Sequence, residues 1–187
     1  TLGRLTKTTD AYGARVSYTY DANGQVLTTT NEMGGVISYT YDADGHMLTM
    51  TDPMGGVTRS TYDAVGNVLS KTTPMGFTPT YTYAGDNNIA SVTDANGATT
   101  TYTYDAADRV STFTDALGGT TSYTYDAVGN QSTVTDSEGG VTRYEYDLLG
   151  RITAITDARG ARTTYAYDNE GRQTNETDAL NYSASKT

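Results

Sequence analysis

Apolar and polar positions alternate along this chain in runs of six or seven residues, and turn-forming residues interrupt the runs at a strict interval. The run entering one class of interruption reads Tyr-Thr-Tyr at 18–20, 39–41, 81–83, 102–104 and 123–125. In an extended strand alternate side chains point to opposite faces, so both tyrosines share one face. The run leaving it carries Leu5, Val26, Met47, Val68, Ile89, Val110 and Ile152 at one register position, with Met50, Val92, Phe113, Val134 and Ile155 three residues beyond it. A spacing of three within a strand predicts a bulge or added twist between the two positions. Six or seven residues make a short strand and are too few for a helix with its caps. The pattern therefore predicts an all-β chain.

The interruptions are Asp-x-x-Gly turns, two in each 21-residue unit. One series runs Asp21–Gly24, Asp42–Gly45, Asp63–Gly66, Asp126–Gly129 and Asp147–Gly150. The other runs Asp10–Gly13, Asp52–Gly55, Asp94–Gly97, Asp115–Gly118, Asp136–Gly139 and Asp157–Gly160, with Asn31 and Thr73 standing in for Asp elsewhere. An Asp at the first turn position can accept backbone N–H bonds, and Gly at the fourth takes the positive φ that closes a hairpin with a bulge. Two turns per unit mean two strands.

The units keep phase from Tyr20 onward, giving a truncated repeat at 1–19 and full repeats at 20–40, 41–61, 62–82, 83–103, 104–124, 125–145, 146–166 and 167–187. A fixed period of this size predicts one array over residues 1–187, each unit leaning on its neighbours. Both ends fall in mid-phase, so the chain reads as a stretch of a longer array. The expected architecture is a repetitive antiparallel β-ribbon of about 18 short strands, twisted or spiralling. Two ladders of rings should run along it. They comprise Tyr18, Tyr39, Tyr81, Tyr102, Tyr123, Tyr144 and Tyr165, then Tyr20, Tyr41, Tyr62, Tyr83, Tyr104, Tyr125, Tyr146 and Tyr167.

The pattern breaks in a few places. Lys71 fills an apolar slot, Pro79 a strand position, Ala84 replaces Asp and Asn87 replaces Gly, which predicts a kink or edge between 71 and 90. Asp108 also takes a Gly place. Asn181 and the Ser185-Lys186 pair mark a decayed final unit.

Composition narrows the functional classes. Threonine supplies 38 residues and tyrosine 17, while Trp and Cys are absent and only 36% of residues are hydrophobic. Such a core is thin, built from tyrosine rings with Val, Ile, Leu and Met. A net charge of −10 with 12 scattered basic residues argues against a nucleic-acid partner. No apolar run is long enough to span a membrane, and residues 1–19 lack a signal-peptide segment.

Repetition also argues against a catalytic site, a cofactor or a metal. His46 is the only histidine, and it fills the turn-following position that Arg4, Arg109, Arg151 and Arg172 hold in other units, so it reads as a solvent-facing strand residue. Asp42-Ala43-Asp44-Gly45 resembles the start of a calcium loop, but the later ligands and the terminal Glu are missing. The paired aspartates are explained by turn capping, and the tyrosines by packing; an exposed tyrosine face would instead suit stacking on glycans.

The units Tyr41-Asp42-Ala43-Asp44-Gly45-His46 and Tyr146-Asp147-Leu148-Leu149-Gly150-Arg151-Ile152-Thr153, each with Thr-Asp-x-x-Gly ten residues on, resemble the RHS or YD repeat along the whole chain. That resemblance implies a β-ribbon of the kind that spirals into a hollow shell in bacterial polymorphic toxins, insecticidal toxin complexes and teneurins. In the bacterial cases the shell encloses a toxic C-terminal domain, and related surface repeats serve in adhesion. The core segment that closes such a shell, and any effector, are not among these residues. The expected role is a non-catalytic structural module in the wall of a secreted toxin or cell-surface protein. Its partners would be neighbouring repeats of a parent chain, an enclosed C-terminal effector, surface glycans or other copies of itself. A self-assembling extracellular fibre and a glycan-binding surface are the alternatives.

Overall fold

The structure is a computed structural model, and it describes all residues except 1, 2, 10, 12, 181, 186 and 187. The turn beginning at Asp10, and the departures at Asn181 and Lys186, therefore lie outside the described residues. Every regular element among the described residues is a strand. In chain order these are β1 (Lys7–Thr9), β2 (Arg15–Tyr20), β3 (Val26–Thr30), β4 (Val36–Tyr41), β5 (Met47–Thr51), β6 (Val57–Tyr62), β7 (Val68–Thr72), β8 (Thr80–Tyr83) and β9 (Ile89–Thr93). They continue as β10 (Thr99–Tyr104), β11 (Val110–Thr114), β12 (Thr120–Tyr125), β13 (Gln131–Thr135), β14 (Val141–Tyr146), β15 (Ile152–Thr156), β16 (Arg162–Tyr167), β17 (Gln173–Thr177) and β18 (Ser183–Ser185). The chain divides into two compact units, Thr1–Thr99 and Thr100–Thr187. Each is an antiparallel meander in which every strand pairs with the next in sequence. The all-β ribbon of hairpins, two short strands per repeat, is the observed fold.

The bulge implied by the spacing of three is present. In the β2–β3 hairpin Thr19 pairs with Thr28 and Tyr20 with Val26, which leaves Leu27 unpaired. The same one-residue shift recurs at Thr40/Tyr41, Thr61/Tyr62 and Thr82/Tyr83 in the first unit. In the second it falls at Thr103/Tyr104, Thr124/Tyr125, Glu145/Tyr146 and Ala166/Tyr167. The extra residue flips the alternation once, so Met47 and Met50 both face the tyrosines, opposite Tyr41 and Tyr39. It also adds local right-handed twist.

The two faces differ in chemistry. On the face away from the tyrosines, cross-strand hydroxyls bond in pairs, Thr19 with Thr28 at 2.7 Å, Thr40 with Thr49 at 2.6 Å and Thr124 with Thr133 at 2.6 Å. No thick core forms: Ala154 is the one buried hydrophobic residue among those described, and it lies opposite Glu145 on the face away from the tyrosines. Within each unit the described strands contact only their neighbours in the sheet, and no second layer takes their side chains fully out of water.

The irregular stretch behaves as Pro79 requires. Strand β8 is reduced to four residues and its register with β7 to the single pair Ser70 and Thr80. Lys71 N–H still reaches the Pro79 carbonyl at 3.3 Å, but Pro79 has no N–H to return the bond. Asn87 and Asp108 take the left-handed conformation of the glycines they replace, with φ of 62° and 59°.

Candidate functional site

The turns are built alike. Asp42 N–H donates to the His46 carbonyl at 3.0 Å and Gly45 N–H to the Asp42 carbonyl at 3.3 Å, a type I turn closed by a glycine with φ of +95°. Asp42 Oδ1 accepts the N–H groups of Asp44 and His46 at 3.0 and 2.8 Å. Asp63, Asp126 and Asp147 make the same pair of bonds to residues two and four ahead, as do Asp52, Asp94, Asp115, Asp136 and Asp157 on the other edge. Asp21 accepts from Gln25 N–H, Asn31 from Gly35 N–H, and Thr73 Oγ1 from Phe77 N–H. Each of Gly24, Gly45, Gly55, Gly66, Gly97, Gly118, Gly129, Gly139, Gly150 and Gly160 has a positive φ.

The side chain just after the first-series glycine adds a contact that reaches into the next repeat. Arg109 Nη2 sits 2.6 Å from Asp105 Oδ2, and its guanidinium lies over the Tyr125 ring, 4.3 Å from the centroid. Arg151 pairs with Asp147 at 2.7 Å and covers Tyr167 at 4.6 Å. His46 does the same with an imidazole: Nδ1 is 3.0 Å from Asp42 Oδ2 and the ring stacks on Tyr62 with centroids 4.9 Å apart. A Cβ on Gly66 would meet His46 Nε2 at 2.7 Å, so the ring lies directly over the following turn. His46 is thus not simply solvent-facing, its side chain being 33% exposed. Asn67 and Asn130 supply an amide to Asp63 and Asp126 at 3.0 Å each. The recurrence of Arg, Asn and His at one register position is the sequence signal for this contact, since each can donate to the carboxylate four residues behind it.

The covered tyrosine then closes the link. Tyr20 hydroxyl donates to the Leu5 carbonyl, Tyr41 to Val26, Tyr62 to Met47, Tyr83 to Val68, Tyr125 to Val110, Tyr146 to Gln131 and Tyr167 to Ile152, always 15 residues back and at 2.6 to 2.9 Å. Tyr20, Tyr62, Tyr125 and Tyr167 are thereby held between the side chain of Arg4, His46, Arg109 or Arg151 and the backbone of the repeat before them. Strand alternation placed these rings on one face, but it carried no information about their hydroxyl partners. The companion rings Tyr18, Tyr39, Tyr81, Tyr102, Tyr123, Tyr144 and Tyr165 lie opposite Thr29, Met50, Val92, Phe113, Val134, Ile155 and Glu176. All fifteen ladder tyrosines, Tyr104 included, are half-buried.

These contacts set the electrostatics. For Asp105 and Asp168 the side-chain bonds from Arg109 and Arg172 lead, and they hold the carboxyls below the ordinary value of 3.8. For Asp42, Asp63, Asp126 and Asp147 desolvation pushes upward, but the combined N–H and side-chain bonds from the turn outweigh it and the net shift is again down. Desolvation, followed by nearby phenol and carboxylate charge, raises Tyr41, Tyr83, Tyr146 and Tyr165 above 10.0.

Among the described residues one group of three side chains could approach a metal, Asp42, Asp44 and His46, with ligand atoms within 4.8 Å. The turn accounts for it. Asp63 and Asp126 hold the same geometry with no second acid and with Asn in place of His. An open groove of about 250 Å³ on the tyrosine face of the second unit is lined by Tyr102, Val110, Phe113, Tyr123, Tyr125 and Gln131. No helix among the described residues is long and apolar enough to cross a membrane.

Comparison with known proteins places this architecture. The chain is similar to the TcdB2–TccC3–TEV crystal structure at 17% identity and a TM-score of 0.56, over 92% of this chain and 12% of that one. It is similar to the Tc holotoxin pore of Photorhabdus luminescens at 16% identity and a TM-score of 0.59, over 94% of this chain and 13% of that one. The chain thus spans about an eighth of the length of those structures, and at such identity the likeness is one of fold. No curated protein matches the chain. The RHS-repeat family model matches residues 1–35 and 20–57. The model of the teneurin YD-shell matches residues 56–184, more than half the sequence, and the chain belongs to that family.

Proposed function

We propose that this chain is a non-catalytic section of wall, a stretch of a single YD-repeat array that forms part of the shell of a larger secreted toxin or surface protein. The observation that carries this reading is the hydroxyl-to-carbonyl bond from one repeat to the backbone 15 residues earlier, made by Tyr20, Tyr41, Tyr62, Tyr83, Tyr125, Tyr146 and Tyr167. It serves these seven repeats in the same way, and an enzyme site requires a local exception instead. The fold shared with the Tc structures and the YD-shell family match support the same role. The natural partners are then neighbouring repeats of a parent chain and an effector held inside.

Electron microscopy of the full-length parent, with an epitope inserted at the exposed turn tip Leu148-Leu149, tests this reading. A hollow particle labelled on its wall is expected; an extended fibre or solid particle overturns it and favours the self-assembling alternative. A second reading, glycan contact through the tyrosine face, draws on the groove at Tyr102, Phe113 and Tyr123. Oligosaccharide titration followed by aromatic ring resonances should shift those three rings together if it holds, and leave them unmoved if it does not.

A further inference from the structure

The five methionines of this chain all lie between residues 33 and 75, and they fall into two environments. Met47 and Met50 belong to β5, half-buried and paired in register with Tyr41 and Tyr39. Met33, Met54 and Met75 occupy the third position of the same turn in three consecutive repeats, and they are 95%, 97% and 81% exposed. That turn position has no need of a thioether, since Asn96, Leu117, Glu138, Arg159 and Leu180 fill it further along. The turns are held by backbone bonds from Gly34 to Asn31, Gly55 to Asp52 and Gly76 to Thr73 at 2.9 to 3.0 Å and by the side chains of Asn31, Asp52 and Thr73, none of which involves a thioether. Successive tips on one edge are separated by two strand spacings, on the order of 10 Å. The result is a row of three solvated thioethers along one edge of the first unit.

We propose that this row is an oxidation site, at which Met33, Met54 and Met75 each accept one oxygen atom from a peroxide-class oxidant while the fold is retained. In each step a sulfur lone pair attacks one oxygen of hydrogen peroxide, the O–O bond breaks as the S–O bond forms, and the departing hydroxide takes the proton carried by the transferred oxygen and leaves as water. Sulfur loses two electrons and the peroxide gains them. The product is a polar sulfoxide, reducible by methionine sulfoxide reductases, so the edge changes reversibly from apolar to polar. Exposure makes the three sulfurs accessible, and their freedom from the turn's hydrogen bonds makes the change tolerable. Met47 and Met50 differ on both counts, because a sulfoxide there is set against Tyr41 and Tyr39.

Hydrogen peroxide added to the full chain in increasing dose, with oxidation read site by site by peptide mass mapping, tests the proposal. Met33, Met54 and Met75 should react on the order of tenfold faster than Met47 and Met50. Circular dichroism and the melting temperature should hold at three added oxygens, and a sulfoxide reductase with thiol should restore the starting mass. Equal rates at the five sites, or loss of β-structure at three oxygens, overturns the proposal. The variant M33L/M54L/M75L should remain folded and lose the fast phase entirely; a fast phase that survives in it also overturns the proposal.

Discussion

At the residue scale, two groups with different physics hold each turn. Gly118 has a φ of +88° and a Cβ there would meet nothing within 4 Å, so replacing it costs backbone strain alone. Gly118→Val should lower stability by about 1–2 kcal/mol, because a β-branched residue resists the left-handed region. Asp115→Asn keeps an oxygen to accept the Leu117 and Gly119 N–H groups and should cost under about 0.5 kcal/mol. Equal denaturant midpoints for the two variants would contradict this division of labour. The hydroxyl of Tyr146 donates to the Gln131 carbonyl at 2.8 Å, and Tyr146→Phe removes that bond while keeping the ring. A loss of about 0.5–1.5 kcal/mol is expected by chemical denaturation. An unchanged midpoint would show that the bond does not brace the repeat.

At the scale of the element, a hairpin depends on the charge of its turn and on a complete ladder. The carboxyls of Asp42, Asp63, Asp105, Asp126, Asp147 and Asp168 titrate below 3.8 in the folded chain and near it when unfolded. Their contribution to stability is full above that pH and is lost as pH falls below it. Tyr41, Tyr83, Tyr146 and Tyr165 titrate above 10.0 when folded, so their contribution is full below that pH and is lost as pH rises through the folded values. Urea midpoints measured from pH 2.5 to 11 should form a plateau with a fall at each end. A midpoint still constant at pH 2.5 would sink the acid half of this prediction. Strand β8 tests the ladder itself, because Pro79 stands where Thr58, Thr100, Thr121, Thr142 and Thr163 sit in other repeats. Pro79→Thr restores a donor toward Lys71, and hydrogen exchange at residues 78–80 should slow; the gain is offset by about 0.4–1 kcal/mol of added unfolded-chain entropy. Unchanged exchange there would assign the short strand to a cause other than the missing N–H.

At the scale of the whole molecule, the 21-residue period is a unit of removal as well as of construction. Deleting residues 125–145 joins Thr124 to Tyr146 and sets the Tyr146 hydroxyl 15 residues after Val110 again. The shortened chain should fold with the same far-ultraviolet spectrum and a modest loss of stability, as expected where each repeat contacts only its neighbours. Deleting residues 125–135 alone removes one strand with its turn, reverses the direction of every later strand and puts unlike turns on one edge. That chain should lose cooperative unfolding. Similar melting curves for the two deletions would show that phase does not matter.

The strands, the two turns, the shared face of the tyrosines and even the bulge between Val26 and Thr29 were readable from the residues alone, because all four follow from backbone geometry over a few neighbouring positions. Pro79, Asn87 and Asp108 were legible for the same reason, each being a local conflict between a residue type and a required backbone conformation. What meets across repeats came from the folded chain. It set His46 and Arg109 over the next repeat's ring, aimed each clamped tyrosine hydroxyl at a carbonyl 15 residues back, and left the rings half-buried. Those contacts depend on the register and twist with which one hairpin lies beside the next, which are properties of the paired strands and not of any short stretch of chain.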